Sequence, residues 1–182
     1  MTNSLETLGD KERNVEIHYP DGLTQTDIGL IKKQCELQHA TSKEQLEGFA
    51  RAYKKAKDLA SNPEQLSSLS AEQLENLILE LAELTETRNQ KGYRRVPVTF
   101  ASGGSALNPD VIPRAIESFC AAYAEKLMDP VEAYTEFERI HPFEDGNGRV
   151  GDLLWKLAIA RETGTWPEEL PPDVFGVHQD QT

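Results

Sequence analysis

The sequence predicts an all-α fold, a helical bundle that carries one short β-hairpin. Three observations lead to this prediction. Apolar residues recur at helical spacing along most of the chain, several of these stretches begin with helix-capping residues, and one β-branched and aromatic stretch at residues 93–100 interrupts them.

The composition suits one globular domain. The chain has 182 residues, of which 38% are hydrophobic and 27% charged. No apolar run approaches the roughly 18–20 residues of a membrane span, and the N-terminus lacks the pattern of a secretory signal. We therefore expect a cytoplasmic protein with no membrane partner, unless a specialised export system takes it.

The net charge of −12 argues against general nucleic-acid binding, which depends on clustered Lys and Arg. A phosphate held locally by backbone amides, one arginine and a metal stays compatible with this charge. Cys35 and Cys120 match no metal-ligand spacing, and we expect both to be buried as small apolar residues.

The predicted domain covers residues 23–164, after a polar lead-in at residues 1–22 and before a C-terminal tail at residues 165–182. Its first half contains helices at residues 24–40, 42–60 and 70–92. The third helix opens with a capping box at Ser70 and Gln73. The apolar stripes that predict these three helices are Ile28, Ile31 and Cys35; Leu46, Phe49, Tyr53, Ala56 and Leu59; and Leu74, Leu77, Ile78, Leu81 and Leu84.

The stretch at residues 93–100 differs from the helical segments, because it is short and rich in β-branched and aromatic residues. Gly103-Gly104 then ends it. We expect an extended strand or half of a small hairpin over about residues 93–104. An isolated hairpin is marginally stable, so it must pack on the helices or accept a partner strand. A small hairpin that merely caps the core is the alternative.

Three more helices follow. The first carries the stripe Ile112, Ile116, Phe119, Tyr123 and Leu127. The second opens with Asp129 as N-cap, Pro130 at the first position and Glu132 at the third, and runs to His141. Its predicted core residues are Val131, Tyr134, Phe137 and Ile140. The third begins near Asn147, ends at Gly164, and buries Val150, Leu153, Leu154, Leu157 and Ala158.

The loop between the last two helices, HPFEDGNGR at residues 141–149, concentrates polar and flexible chemistry. Loop amides and a new helix N-terminus offer unpaired N–H donors, which favour an anion. Gly146 and Gly148 allow left-handed backbone and a close approach of phosphate. Arg149 follows on the first turn, where a guanidinium can bind two phosphate oxygens.

The same loop offers a base and a metal ligand. Asp145 is a hard oxygen ligand suited to Mg²⁺ that bridges phosphates, and the imidazole of His141 can take a proton from a hydroxyl near neutral pH. Phe143 is expected to turn inward, and Pro142 to stop the preceding helix, while Glu144 is expected to be solvated. Together these residues predict transfer of a phosphate-containing group onto a hydroxyl.

HPFEDGNGR resembles the signature of the Fic family, His-x-Phe-x-(Asp/Glu)-Gly-Asn-Gly-Arg-x-x-Arg, at every specified position from His141 to Arg149. The order of Tyr93-Arg94, an extended segment, a proline-led helix and a helix ending in Ile-His-Pro-Phe is similar to the family's layout. The resemblance implies an all-helical domain with one hairpin flap. It also implies AMP transfer from Mg²⁺-ATP to a Ser, Thr or Tyr hydroxyl of a target protein, in a bacterial or phage-type protein of the toxin kind.

The resemblance assigns roles by position. His141 would be the general base, Asp145 the Mg²⁺ ligand, and Arg149 a donor-phosphate ligand. The anion hole would be lined by Gly146, Asn147 and Gly148. The flap residues Val96, Pro97, Val98, Thr99 and Phe100 would bind the target's backbone by strand addition.

The signature's second arginine is replaced by Asp152, which could pair with Arg149 three residues earlier. A carboxylate about 5 Å from a phosphate charge repels it by roughly 3 kcal/mol at an effective dielectric of about 20. Three explanations compete. The protein transfers AMP with the terminal phosphate in solvent or held by Arg94 or Arg95; it uses another donor, such as UTP or CDP-choline; or it is an inactive binding module.

The family's inhibitory segment, (Ser/Thr)-x-x-x-Glu-(Gly/Asn), is incomplete here. Glu47-Gly48 has Lys43 at the Ser/Thr position, and Glu75-Asn76 has Ala71. We therefore predict that no internal glutamate switch operates through these segments, and that replacing Glu47 with Gly leaves activity nearly unchanged. An antitoxin-like inhibitor encoded separately is a partner that the resemblance leaves open.

Overall fold

The computed structural model describes residues 15–100 and 103–176. Within them the chain forms seven α-helices, two 3₁₀ turns and one small hairpin, so the predicted fold class is confirmed. The α-helices are α1 Gln25–Leu37, α2 Lys43–Ala60, α3 Pro63–Ser67, α4 Ala71–Thr85, α5 Ile112–Ala124, α6 Pro130–Ile140 and α7 Asn147–Thr163. The 3₁₀ turns are Thr87–Lys91 and Pro109–Val111.

Four helices begin with a complete capping box, in which the N-cap side chain and the side chain at the third position each bind the other's backbone N–H. The N-cap residues are Thr24, Ser42, Ser70 and Asp129. Each such cap stabilises its helix by about 1 kcal/mol. The predicted caps at Ser70 and Asp129 are confirmed.

Helix α7 lies at the centre of the bundle and packs against α2, α4 and α6. Most of its residues from Asn147 to Ala160 are buried, so the helix has no polar face along most of its length. A helix of this kind must be enclosed by its neighbours. Its first turn is therefore held in the interior of the domain.

The hairpin consists of one antiparallel bridge between Thr99 and Ser105. The N–H of Phe100 donates to the carbonyl of Gly104 at 2.6 Å, and the N–H of Ala106 donates to the carbonyl of Val98 at 3.0 Å. Residues 101 and 102 of the predicted flap, residues 1–14 of the lead-in and residues 177–182 of the tail lie outside the described residues.

Two predicted core residues are exposed. Leu127 is 69% exposed because α5 ends at Ala124 and Lys126 adopts a positive φ of 59°, which turns the chain off the helical stripe. Val131 is 41% exposed because it lies in the first turn of α6, beside the face that Ala133, Phe137 and their neighbours bury.

The predicted helix at residues 70–92 ends early, at Thr85. Glu86 is extended at the helix end, with a ψ of 122°, and the chain continues as the 3₁₀ turn Thr87–Lys91. The side-chain amide of Asn89 donates to the carbonyl of Ala82 at 3.2 Å, which satisfies an acceptor in the last turn of α4. This early ending brings Glu86 and Asn89 to the loop before α7.

The first residues of the C-terminal tail pack on the bundle. The indole N–H of Trp166 donates to the hydroxyl of Tyr53 at 3.0 Å, and Lys156 donates to the carbonyl of Glu169 at 2.8 Å. Cys35 and Cys120 are buried and free, as predicted. In the described part of the chain, no helix has the length and apolar character needed to cross a membrane.

Candidate active site

His141 is the C-cap residue of α6 and adopts left-handed backbone angles, with φ 49° and ψ 62°. This conformation costs a non-glycine residue of the order of 1 kcal/mol and is concentrated at functional sites. The imidazole is half-buried, and the edge of the Phe100 ring meets it at a centroid distance of 5.1 Å. Among the described residues its Nδ1 has no hydrogen-bond partner.

The imidazole of His141 is neutral at physiological pH. Burial lowers its pKa from the ordinary 6.5 to about 4, and the nearby charge of Arg94 acts in the same direction. The backbone of Glu138 and the carboxylate of Asp145 oppose this change but do not outweigh it. A neutral imidazole is the form that can accept a proton.

The loop after His141 is closed by Asn147. The Oδ1 of Asn147 accepts the N–H of Phe143 and its Nδ2 donates to the carbonyl of Phe143, both at 2.9 Å. Phe143 is fully buried and its ring lies 5.7 Å from that of Tyr93. The predicted inward turn of Phe143 is therefore confirmed, and the Asn147 side chain is used to shape the loop.

Both predicted loop glycines occupy positions that a side chain would disturb. Gly146 has a φ of 80°, in the left-handed region. A Cβ at Gly148 would lie 2.6 Å from the amide oxygen of Gln38, so the first turn of α7 is packed closely under the end of α1. No side chain caps the N-terminus of α7 in the described structure, which leaves its first N–H groups for an anion.

Arg149 is fully buried. Its Nη2 donates to Glu86 at 2.7 Å and to Asp145 at 3.5 Å. Its Nε and Nη1 have no partner among the described residues. A buried guanidinium with two open nitrogens is costly unless an acceptor fills the gap, and an anion at the helix N-terminus would fill it.

Asp145 lies in the loop just before α7, and its side chain is 39% exposed. Its Oδ1 accepts the N–H of Gly146 at 2.7 Å, and its Oδ2 is 3.7 Å from a guanidinium nitrogen of the exposed Arg88. In the described residues, no group of three or more His, Cys, Asp or Glu side chains is arranged around a metal. Mg²⁺ commonly uses one or two carboxylates together with phosphates and water, so the half-exposed Asp145 fits such a metal.

Asp152 does not pair with Arg149. Its carboxylate, 1% exposed, binds the ammonium of Lys156 one turn later in α7 and accepts the Gln34 amide at 3.1 Å. Lys156 is itself fully buried and lies 5.4 Å from the centre of the Trp155 ring. The Asp152 charge is therefore balanced inside the protein, which reduces its repulsion of a phosphate.

Glu47 lies away from Arg149, where it accepts the N–H of His18 at 3.0 Å and pairs with Lys43 at 3.7 Å. Glu144 is exposed, as predicted. A cavity of about 440 Å³ lies beside the loop, lined by Lys91, Tyr93, Arg95 and Glu144.

Sequence reasoning missed two residues that shape the site, Glu86 and Asn89, and named a third, Arg94, only as a possible ligand of the terminal phosphate. Glu86 binds Arg149, Asn89 donates to the carbonyl of Asp145 at 2.9 Å, and Arg94 donates to the carbonyl of His141 at 2.6 Å. Their sequence separations from the loop, 63, 56 and 47 residues, gave no local signal. The one usable sign was a basic residue, Arg94, next to an apolar extended stretch.

A model of the Fic/DOC family matches residues 68–158, which is half of the chain. The chain belongs to the Fic/DOC family. The Fic match runs from just before α4 through the hairpin and the loop into α7, so it contains both His141 and Arg149.

The Fic region is also similar to individual proteins. A probable protein adenylyltransferase of Aquifex aeolicus (strain VF5), aq_aa38, is 42% identical over 80 residues, which cover 41% of this chain and 25% of that protein. The match thus spans a quarter of the length of this relative. A solved Fic domain containing signaling protein from Bacteroides thetaiotaomicron VPI-5482 is 25% identical, with a TM-score of 0.54 over 74% of this chain and 56% of the other.

Proposed function

We propose that the protein is a protein adenylyltransferase, which moves AMP from Mg²⁺-ATP to a Ser, Thr or Tyr hydroxyl of a target protein. The observation that carries the proposal is the pair of open nitrogens on the buried Arg149, beside the uncapped N-terminus of α7 and one short loop from His141. The resemblance to a probable protein adenylyltransferase supports the same reaction.

In this reaction His141 takes the proton from the target hydroxyl, and the hydroxyl oxygen attacks the α-phosphorus. The bond from that phosphorus to the bridging oxygen of the β-phosphate breaks, and pyrophosphate leaves. A pKa of about 4 makes His141 a weak base in the free protein. The negative donor phosphates would raise the pKa of His141 when they bind, and so would strengthen the base.

The donor phosphates would be held by Arg149 and by the N–H groups of Asn147 and Gly148. The N–H of Gly146, which donates to Asp145 at 2.7 Å, would join them once Asp145 binds Mg²⁺ instead. Asp145 would hold the Mg²⁺, which supplies charge neutralisation for the phosphates when bound. The carboxylate of Asp152 binds the ammonium of Lys156 and accepts the amide of Gln34. Its effect on the donor site is therefore only that the second arginine of the signature is missing there.

The target would bind along the free edge of the hairpin. In an antiparallel pair that lacks direct mutual hydrogen bonds, the backbone groups of both residues point away from each other. Thr99 and Ser105 form such a pair, because the bonds run between their neighbours instead. The N–H and C=O of the exposed Thr99 therefore face outward, where a strand of the target protein can add.

The test mixes the purified protein with cell extract, Mg²⁺ and labelled ATP. We expect label on extract protein with wild type and a loss of about 100-fold or more with His141→Ala. His39→Ala is a matched control, since His39 lies outside the loop. No incorporation from any donor, with His141→Ala indistinguishable from wild type, would support a Fic-fold binding module instead.

A second candidate is the same chemistry with another donor, such as UTP or CDP-choline. The Asp152–Lys156 pair favours it, because the position of the signature's second arginine is committed to the protein interior. Labelled UTP, CTP and CDP-choline in the same assay separate the two candidates. Strong incorporation from one of these, with weak incorporation from ATP, would replace ATP as the donor.

A further inference from the structure

We infer that Arg94 is a positioning residue for the catalytic base, which ties the backbone of His141 to both ends of the hairpin. This inference rests on the proposed role of His141. Arg94 carries no role in the resemblance beyond the Tyr-Arg pair that precedes the extended segment.

The guanidinium of Arg94 donates to carbonyl oxygens from three parts of the site. Its Nε donates to His141 at 2.6 Å. Its Nη1 donates to Val96 at 2.9 Å, and its Nη2 donates to Leu107 at 2.7 Å. The backbone N–H of Arg94 also donates to the carbonyl of Pro142 at 2.9 Å. Val96 and Leu107 flank the hairpin, so one side chain fixes the hairpin's two ends against the loop that follows α6.

Arg94 is a costly side chain to bury if its only role is to fill space in the interior. The side chain is 2% exposed, and its partners in the described structure are carbonyls rather than carboxylates. Burial of a cation without a counter-ion is expensive. An apolar side chain would fill the same space at lower cost, but only the planar guanidinium can donate to several carbonyls in different directions.

The contact has a direct consequence for His141. The residue holds left-handed backbone angles, and its carbonyl is fixed by the shortest of the Arg94 bonds. The charge of Arg94 also lowers the pKa of His141, adding to the effect of burial. Arg94 therefore fixes the backbone that carries the imidazole and adds to the effect of burial in keeping the imidazole neutral.

The connection to the hairpin gives Arg94 a second effect. A target strand on the hairpin would present its hydroxyl to His141 from a surface whose ends are fixed to the same guanidinium. A misplacement of about 1 Å in such an arrangement can cost roughly 100-fold in rate. Arg94 would thus keep the distance between the bound target and the base constant.

The test uses Arg94→Gln and Arg94→Lys, with Arg95→Gln as the control for the pKa of His141. Gln removes the charge and most of the donors, whereas Lys keeps the charge but cannot reach all three carbonyls. Arg95 is the adjacent arginine and is exposed. For each protein the pKa of His141 is measured by NMR titration of the imidazole C–H signals, folding by thermal unfolding, and kcat and KM with labelled ATP.

We expect the pKa of His141 to rise above about 4 in Arg94→Gln, while burial still holds it below 6.5, and to stay low in Arg94→Lys and Arg95→Gln. We expect kcat to fall about tenfold or more in both Arg94 variants, with a smaller change in KM for ATP. If Arg94→Lys keeps the wild-type pKa of His141 but not the wild-type kcat, the positioning effect of Arg94 on the rate is separated from the effect of its charge on the pKa.

An unchanged pKa of His141 in Arg94→Gln, or an equal shift in Arg95→Gln, would overturn the inference. So would a fall in kcat that only follows the folded fraction of the variant. If Arg94→Gln does not fold, Arg94→Lys decides, since full kcat in that variant also overturns the inference. The NMR titration needs no donor, so a failure of the proposed transferase reaction is distinguished from a failure of the Arg94 inference.

Discussion

The carboxylate of Glu86 lies 2.7 Å from Nη2 of Arg149, the guanidinium to which the proposed function assigns a donor phosphate. Glu86 is 8% exposed and accepts the amide of Gln45 at 2.8 Å, so it is held in place. The protein therefore supplies an anion of its own to Arg149. This carboxylate is not that of Glu47, which the sequence pattern singled out and which binds His18 and Lys43.

Replacing Glu86 with Gln should weaken folding and strengthen donor binding. Loss of a hydrogen bond between charged groups costs about 1.5–3 kcal/mol, so the melting temperature should fall. The freed Arg149 should then bind Mg²⁺-ATP about fivefold to tenfold more tightly. Thermal unfolding and titration calorimetry measure the two effects.

The matched control for Glu86→Gln is Glu83→Gln, which changes an exposed carboxylate in the last turn of α4. It should leave both quantities nearly unchanged. Equal ATP affinity in Glu86→Gln and wild type would mean that Glu86 and the donor do not share Arg149.

Removing one partner of the Asp152–Lys156 pair should strongly lower the unfolding free energy. Asp152→Ala leaves the fully buried Lys156 without its counter-ion, which typically costs about 3–5 kcal/mol of unfolding free energy. The double variant Asp152→Leu/Lys156→Met should recover most of this loss, because an apolar pair of similar volume avoids the desolvation cost. Urea denaturation measures both. A double variant no more stable than Asp152→Ala would contradict this account.

The free energy of unfolding should depend on pH through the protonation of Glu138. Burial raises the pKa of this carboxyl from 4.5 to about 7, and its Oε1 has no partner in the described structure. Protonation thus favours the folded state. The contribution is fully present below pH 4.5 and is lost as pH rises through about 7.

Glu138→Gln, which stays neutral, should therefore match wild type near pH 5 and exceed its unfolding free energy by roughly 1–3 kcal/mol near pH 8. Denaturation curves at the two pH values test this. Glu136→Gln, which alters an exposed ion pair with Arg139, should change stability by less than about 1 kcal/mol at either pH. A pH-independent difference for Glu138→Gln would refute the assignment.

Thr99→Pro should block the target without touching the donor. The change removes an outward N–H from the free edge of the hairpin but leaves the bonds of Phe100 and Ala106 intact. We expect target modification to fall about tenfold or more, with unchanged affinity for Mg²⁺-ATP. Ser105→Pro removes the equivalent N–H on the opposite edge and is the control. Equal loss in both variants would argue for general disruption of the hairpin.

The sequence predicted the parts of this protein that depend on local pattern. The capping boxes at Ser70 and Asp129 and the buried faces of α2 and α4 follow from spacing along the chain. The inward turn of Phe143 follows from its isolation between polar neighbours. The loop residues could be named because they are contiguous.

The remaining features depend on which distant segments meet. The partner of Asp152 is Lys156, at a spacing of four, although the spacing of three to Arg149 also suits a helix. Gln34 and Glu86 reach the site from segments whose own patterns carry no sign of it. Leu127 fits the apolar spacing predicted for α5 but is exposed, because the helix ends at Ala124.

The two hydrogen bonds between Asn147 and Phe143 have a thermodynamic consequence. The loop reaches its shape when the chain folds, so its conformational entropy is lost at that stage and not when a ligand arrives. A donor of the proposed kind would therefore meet a preformed loop, and a larger share of each contact it makes would remain as affinity.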